Sequence, residues 1–522
     1  MPSSSDLLNY LPAELTNLKM PEMRLSTVAT TAAVGGVLLG TSYLVKNSMR
    51  YSGAPPGPAR VPFVGNMELA PKDASAFNEA LQELYKKYGP IFCMYVGTSP
   101  IVVISDYTLL REAFVTKGIE TAGRNDREIT GAYNPHYPDI KSILDGSYSD
   151  EWKRQRHTAI TILRSLGWGK SSLENKIIAE SEAVLEELSK KNGKAFSPAT
   201  MIGTSVSNII CSLLFGNRFE YGSSEFAELL DALTTLFEAT AEDPGGNYIP
   251  LLKLTPSYRQ TQKAIHRAGG RLVAFFNKKI EEAKERIASG EEPADFVTCY
   301  LKEVESIKEV DSKIKQDWTI QLITDFFSAG SETTATTLQW AMLHIANNQD
   351  VQEIVFKELD SKTKKGQIVC LQDRENVPYT EATIMEIQRI AALAPIGVPH
   401  TALADTTIGG YRIPKGTEVW SNLYGVLRDP KHFPDPAKLK PERFLNETLD
   451  STKKPEQWIP FSLGRRTCLG EQLARQELFL FFSNILKSYQ VLPPEGVQKI
   501  EYRELFKFVM KPSDYEVRFV KR

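Results

Sequence analysis

Hydrophobic and polar positions divide the chain into a long helical middle and short strands near its two ends. Apolar residues recur with a helical period between positions 150 and 395, which predicts amphipathic helices. Two apolar runs, 91–96 and 101–104, flank a Gly-Thr-Ser-Pro sequence and predict a β-hairpin. Residues 406–420 and the carboxyl-terminal YEVRFVKR predict further short strands. We therefore expect one mainly α domain with small accessory β-sheets.

An uncharged run, residues 25–45, precedes this pattern. Its length matches the roughly 20 residues that a helix needs to cross a bilayer, and we interpret it as a transmembrane anchor. A buried core helix is the alternative interpretation. Acidic residues precede the run, whereas Lys46, Arg50 and Arg60 follow it. The positive-inside rule therefore predicts that residues 1–24 are lumenal and that the chain after the run is cytosolic.

A proline-rich stretch follows the predicted anchor. Four prolines between positions 52 and 66 enforce extended backbone that cannot continue a helix. We therefore expect a stiff linker over residues 46–66 and a catalytic domain over residues 67–522.

Composition narrows the class of protein. The chain of 522 residues has 62 basic and 64 acidic residues, which gives it no general attraction to nucleic acid. Its five cysteines are odd in number and form no C-x-x-C pair, which argues against a disulfide framework or a structural zinc site.

One predicted helix contradicts its own local chemistry. Residues 316–348 have helical apolar spacing at both ends, but the centre reads SAGSETTATT, a run of mediocre helix formers. Hydroxyls inside a helix can bond back to carbonyls of the preceding turn. The segment is either a functional site, where local rules are often broken, or a small-residue surface for close helix packing.

Cys468 stands just before an amphipathic helical pattern and between two glycines. A helix amino terminus stabilises a thiolate, although a buried inert thiol is the commoner use of a lone cysteine. No second Cys or His lies nearby in sequence to complete a zinc site, so a metal bound here would take its other ligands from a cofactor. A porphyrin supplies four, which makes the thiolate an axial ligand of haem iron.

The residues around this cysteine resemble a known family signature. Phe461, Gly464, Arg466, Cys468 and Gly470 match the F-x-x-G-x-R-x-C-x-G haem-binding motif of the cytochrome P450 superfamily. Further matches occur in the expected order, namely Trp152 and Arg156 (W-x-x-x-R), AGSETT at 329–334, Glu386 and Arg389 (E-x-x-R), and Arg443 in PERF at 441–444. The sequence style resembles the microsomal, family-2-like clan of animals.

This resemblance implies the cytochrome P450 fold and assigns a role to each matched residue. It implies that Cys468 ligates the iron and that Glu386, Arg389 and Arg443 form a structural network. It further implies contacts of the protein with haem and oxygen, from Arg466, Trp152, Arg156, His400, Phe461, Gly464, Gly470, Ala329 and Gly330. Thr333 would stabilise bound dioxygen and Glu332 would relay protons.

The resemblance also implies a reaction and its partners. The chain would be a haem-thiolate monooxygenase that inserts one oxygen atom of O2 into a small lipophilic substrate, a steroid, fatty acid or xenobiotic. It shows no Rossmann fingerprint, so electrons would come from NADPH-cytochrome P450 reductase, with cytochrome b5 as a second candidate partner. It would be a single-pass protein of the endoplasmic reticulum membrane. A peroxide isomerase or dehydratase and a haem sensor without turnover are the rival functions.

Overall fold

The computed structural model describes residues 50–66, 76–125, 142–144, 146–167, 171–242, 245–246, 248–307, 311–507 and 509–522. The predicted extension 1–24 and the predicted anchor 25–45 lie outside the described residues. Within the described ranges, every helix is too short or too polar to cross a bilayer.

α-Helices make up most of the described chain. In chain order they are α1 (Phe77–Tyr88), α2 (Tyr107–Arg111), α3 (Asp150–Ser165), α4 (Ser171–Lys190), α5 (Ala199–Leu214), α6 (Ser224–Ala241), α7 (Pro256–Ala288), α8 (Phe296–Glu305), α9 (Ser312–Asn347), α10 (Gln349–Lys362), α11 (Pro378–Ala391), α12 (Leu423–Leu427) and α13 (Glu471–Ser488). A π-helical turn (Glu112–Thr116) continues α2, and short 3-10 turns cover Pro250–Leu254, Leu371–Asn376, Pro441–Phe444 and Gly464–Arg466.

Short strands lie mostly near the two ends of the described chain. They are β1 (Ile91–Val96), β2 (Ser99–Ile104), β3 (His400–Thr401), β4 (Thr406–Ile408), β5 (Tyr411–Ile413), β6 (Glu418–Ser421), β7 (Tyr489–Leu492), β8 (Glu504–Lys507), β9 (Val509–Pro512) and β10 (Arg518–Lys521). The prediction of a mainly α domain with small accessory sheets is confirmed.

The largest sheet has the order β1-β2-β6-β3. The predicted hairpin forms its edge, with Ile91 opposite Ile104 in antiparallel register. β6 joins β2 in parallel, with Ile101 opposite Glu418, although more than 300 residues separate the two in the chain. The remaining pairs are β10 with β7, β4 with β5 and β8 with β9.

The helix α9 runs through the main hydrophobic core. It confirms the helix predicted over residues 316–348, and its apolar residues Phe327, Leu338 and Trp340 are at most 2% exposed. It packs against α5, α11 and α13. Because α13 begins just after Cys468, this packing joins the cysteine loop to the helix with the anomalous hydroxyl-rich centre.

Candidate active site

A tight loop presents Cys468 at the start of α13. The 3-10 turn Gly464–Arg466 precedes it, and the Cys468 backbone N–H donates to the Phe461 carbonyl oxygen at 3.0 Å. Gly470 is the amino-terminal cap of α13. The sulfur therefore lies within one turn of a helix amino terminus, as the sequence predicts.

The surroundings of the Cys468 thiol pull its pKa in opposite directions. Burial is the largest effect and raises the pKa of the thiol, while the backbone N–H groups of Gly470 and Glu471 and the Arg156 guanidinium oppose it. The residue is nevertheless accessible to solvent. The protein alone therefore favours the neutral thiol, and a bound metal cation would favour the thiolate.

The two glycines of the cysteine loop differ in their structural demands. Gly464 has φ of +73°, and a Cβ built on it would lie 1.9 Å from the Phe114 carbonyl oxygen. Only glycine fits there. A Cβ on Gly470 would instead lie 3.8 Å from the Cys468 sulfur, an ordinary contact, so the protein itself does not require glycine there.

Hydrogen-bond donors gather beside the loop. Arg466 is buried and donates to the carbonyl oxygens of Ala122 and Gly146, while its guanidinium lies 4.0 Å from the centre of the Trp152 ring. Trp152 donates from Nε1 to the Ile143 carbonyl oxygen at 2.9 Å. Arg156 donates to the Thr467 carbonyl oxygen at 2.9 Å, which ties α3 to the residue before the cysteine.

His400 belongs to the same cluster. It is buried, its Nδ1 lies 2.8 Å from the Thr121 carbonyl oxygen, and its ring stacks on Phe114. Burial and the charges of Arg124 and Arg466 hold the pKa of His400 well below its usual value. The imidazole is therefore neutral, and with Nδ1–H donating to Thr121 it presents an acceptor at Nε2.

Arg124 is a member of this cluster that sequence reasoning missed. Its side chain is 8% exposed and donates to the carbonyl oxygens of Leu144 and Pro399. The backbones of Gly123 and Thr401 pair next to it. An arginine after a glycine carries no distinctive sequence signal. Its place in the cluster depends on the pairing of Gly123 with Thr401, nearly 280 positions away.

This donor set fits a haem group. Three guanidiniums lie close to one accessible thiol, and guanidiniums are the preferred partners of carboxylates such as haem propionates. Arg124, Arg156 and Arg466 could hold the propionates, with Cys468 as a soft ligand for the iron. The single N–H of Trp152 is given to Ile143, so the structure does not bear out Trp152 as a direct donor.

The centre of α9 has open space on one side. Ala329 is exposed, whereas the neighbouring Phe327, Ser328 and Ser331 are buried. The Thr333 hydroxyl donates to the Ala329 carbonyl oxygen at 2.8 Å, the back-bonding that the sequence predicts. This face of the helix borders an accessible space.

Gly330 has a packing role in the structure. A Cβ built on it would lie 2.5 Å from Cδ1 of Ile210 on α5. The small-residue packing interpretation therefore holds for Gly330, and the functional interpretation of Ala329 and Thr333 stays a prediction.

Two carboxyl groups lie within or next to the hydroxyl-rich segment, and their environments differ. Glu332 forms an ion pair with Lys511 of β9. Glu477 of α13 is buried next to Thr334; burial raises its pKa to about 8 despite a hydrogen bond from Thr334. Sequence reasoning assigned no role to Glu477 or to Lys511.

The predicted structural residues form a buried network. Arg389 binds Glu386 through two hydrogen bonds, of 2.7 and 2.9 Å, and both side chains are fully buried. Arg443 donates to the same carboxylate at 3.2 Å. Arg389 also donates to the carbonyl oxygens of Leu427 and Pro436, so the network fastens α11 to the segment that leads towards the cysteine loop.

Comparison with known proteins identifies this arrangement. The family model of cytochrome P450 matches residues 55–519. The chain belongs to the cytochrome P450 family. It is 34% identical to mouse (Mus musculus) cytochrome P450 2J5 over 90% of the chain and 91% of the relative. It is 33% identical to human (Homo sapiens) cytochrome P450 2U1 over 98% and 97% of the two chains, and 36% identical to human cytochrome P450 2J2 over 88% and 89%.

The resemblance to family-2 cytochromes P450 that the sequence indicates is confirmed by these relatives. Members of this family are haem-thiolate monooxygenases in which a cysteine is the axial ligand of the iron. The fold of this cytochrome P450 is accordingly the mainly helical fold of the family with small β-sheets.

Proposed function

We propose that this cytochrome P450 uses Cys468 as the axial iron ligand and inserts one oxygen atom of O2 into a small lipophilic substrate, of the steroid, fatty acid or xenobiotic class. NADPH-cytochrome P450 reductase would supply the electrons, with cytochrome b5 as a second candidate donor. The observation that carries the proposal is the accessible thiol of Cys468 at a helix amino terminus, next to the guanidinium of Arg156. When bound, haem supplies oxygen activation and oxygen transfer to a C–H bond.

The polar cluster would orient the cofactor. Arg466 and Arg156 carry N–H groups suited to the propionates, and Arg124 adds a further guanidinium. Trp152 would support Arg466, whose guanidinium lies over its ring. His400, with Nδ1–H given to Thr121, would accept a hydrogen bond at Nε2 from a water. Phe461, Gly464 and Gly470 would shape the loop on the sulfur side.

The centre of α9 would manage oxygen and protons. The Thr333 hydroxyl gives its hydrogen to the Ala329 carbonyl oxygen, so its oxygen retains lone pairs that can accept a hydrogen bond. Thr333 would hold a water or oxygen species in this way, and Glu332 would pass protons towards it. Ala329 would leave room on this part of the helix, whereas the space beside Gly330 is filled by Ile210.

Exposed apolar residues support an association with the endoplasmic reticulum membrane. Leu251 and Leu254 are 72% and 64% exposed, and Phe63 is 48% exposed. The turn at Gly97 lies between both segments, because its N–H donates to the Val64 carbonyl oxygen and a Cβ built on it would lie 2.5 Å from the Tyr248 carbonyl oxygen. With residues 25–45 as a single-pass anchor, this apolar face would lie on the bilayer and the catalytic domain in the cytosol.

The reductase would approach on the side of the cysteine loop. Arg154 and Arg465 are exposed there, and a cationic surface favours an acidic redox partner through electrostatic steering. Lys153 and Arg475 belong to the same group but pair with Asp150 and Glu471.

The test uses the full chain in detergent or vesicles. The reduced protein with carbon monoxide should show the red-shifted Soret band of a thiolate ligand; Cys468→Ala should lose it, whereas Cys370→Ala, a matched control at a half-buried cysteine, should keep it. Lipophilic compounds are then screened for spin-state shifts, and the binders for oxidation with NADPH, reductase and O2. Peroxide rearrangement without NADPH would favour the isomerase, and haem binding without any turnover would favour the sensor.

A further inference from the structure

We propose that Lys511 is a positioning residue for proton delivery, which holds the carboxylate of Glu332 against the β8–β9 hairpin. The inference rests on the proposed function, because it concerns the residue to which that function assigns the proton relay. It adds a residue that no motif marks.

The contact is direct. The Lys511 ammonium pairs with Oε1 of Glu332, and the side chains are only 19% and 13% exposed. Thr336, one turn further along α9, lies 3.4 Å from the same carboxylate oxygen. An ion pair in such partial shelter is screened less by water and salt than a surface pair.

The position of Lys511 is fixed relative to α9. The carbonyl oxygen of Met510, the preceding residue, accepts a hydrogen bond of 2.7 Å from Nε1 of Trp340. The Met510 N–H donates to the Leu393 carbonyl oxygen at 2.8 Å. Because Trp340 lies about two turns after Glu332 on the same helix, the strand that carries Lys511 is attached to the helix that carries its partner.

Glu332 directly precedes Thr333, so its side chain leaves α9 about 100° away from that of Thr333. Thr333 shares its face with the exposed Ala329, four residues earlier, while Glu332 is turned to the hairpin. A proton could thus reach Thr333 from Glu332 only through a side-chain rotation or a bridging water. Lys511 would set where this carboxylate rests.

Loss of the ammonium would change this position. Without its cationic partner, the Glu332 side chain gains rotational freedom and is no longer held against the β8–β9 hairpin. Proton delivery would then be poorly positioned, and reducing equivalents would leave as hydrogen peroxide instead of product.

The test uses the full-length holoenzyme with reductase, a substrate from the spin-state screen, and variants normalised by their carbon monoxide spectrum. Lys511→Met removes the charge at similar length, Lys511→Gln is a second neutral variant, and Lys511→Arg keeps the charge. Lys521 is exposed on the last strand, and Lys521→Met is the matched control for the loss of a lysine. Each neutral variant is also made in a Glu332→Gln background, so that a double-mutant cycle isolates the pair.

We expect Lys511→Met and Lys511→Gln to lower product formed per NADPH by about threefold or more, with a matching rise in peroxide. Lys511→Arg should restore product per NADPH, and Lys521→Met should not alter it. In the Glu332→Gln background the neutral variants should have no further effect. Infrared difference spectra between wild type and Lys511→Met should show shifted carboxylate stretching bands, because the ion pair is lost, and no such shift when Glu332→Gln is present.

Equal effects of the neutral variants with and without Glu332 would overturn the proposal. Loss of haem in both neutral variants, but not in Glu332→Gln, would also overturn it. In either case Lys511 would be purely structural. An unchanged infrared spectrum in Lys511→Met would also overturn it. A wild-type protein without NADPH-dependent oxidation would instead refute the proposed function, and the infrared comparison would still judge the Lys511–Glu332 pair.

Discussion

Replacing Glu386 by alanine tests the buried network most directly. The carboxylate accepts hydrogen bonds from Arg389, from Arg443 and from the Lys440 backbone N–H at 3.0 Å. Removing it leaves the Arg389 guanidinium fully buried with carbonyl oxygens but without its countercharge.

The cost follows from that burial. Breaking a buried ion pair by removing one partner costs about 3–5 kcal/mol, because the remaining charge stays desolvated. Total stabilities of globular domains are only about 5–15 kcal/mol. The change would therefore remove a large fraction of the free energy of unfolding. It would also loosen the backbone at Leu427 and Pro436, because Arg389 donates hydrogen bonds to their carbonyl oxygens.

The assay is urea unfolding of the haem-loaded full chain, followed by circular dichroism and by haem absorbance. Glu386→Ala should lower the unfolding midpoint strongly and lose haem first, because the cysteine loop depends on the fastened segment. Lys86→Ala, which removes an exposed pair with Glu83 (side chains 68% and 71% exposed), should change stability by less than about 1 kcal/mol. Equal midpoints for Glu386→Ala and Lys86→Ala would refute the reasoning.

Three further predictions concern the cysteine loop and α9. Gly464→Ala should reduce haem retention and urea stability severely, since its Cβ would overlap the Phe114 carbonyl oxygen. Gly470→Ala should leave urea stability within about 1 kcal/mol of wild type. Equal losses of stability in the two variants would contradict the loop geometry. In the folded state Glu477 keeps its proton up to about pH 8, whereas in the unfolded state it has already released it. The free energy of unfolding therefore falls as pH rises towards 8, by at most about 1.4 kcal/mol per pH unit. Urea midpoints of Glu477→Gln should thus exceed those of wild type by a margin that grows from about pH 6 to about pH 8, and parallel pH curves would argue against a buried neutral carboxyl. Thr333→Ala should keep the carbon monoxide band but release more peroxide per NADPH, and an unchanged product yield would count against its assigned role.

Local patterns in the sequence predict the elements whose causes are local. The β1–β2 hairpin follows from two apolar runs around a turn, and the cysteine loop follows from a contiguous motif. The network of Glu386 and Arg389 is also local, since its members lie one turn apart on α11. Such features need no knowledge of distant residues.

Contacts between distant positions escape the same reasoning. Lys511 is 179 residues from Glu332 in the chain, and nothing in the sequence around a lysine on a short strand indicates its partner. Arg124 reaches the cysteine cluster only because the backbone of Gly123 pairs with Thr401. Glu477 has the helical spacing of an ordinary surface glutamate, and its burial depends on how α13 packs against α9.

The centre of α9 shows how a locally unfavourable sequence persists as an unbroken helix. Its glycine and hydroxyl residues form helices poorly in isolation, but the surroundings compensate for several of them. Ile210 fills the space that Gly330 leaves, and the hydroxyls of Thr333 and Thr337 bond to carbonyl oxygens four residues earlier. Trp340 attaches the next turns to β9. Packing rather than propensity therefore stabilises this segment, and the mismatch between propensity and structure is the signal that makes it a candidate site.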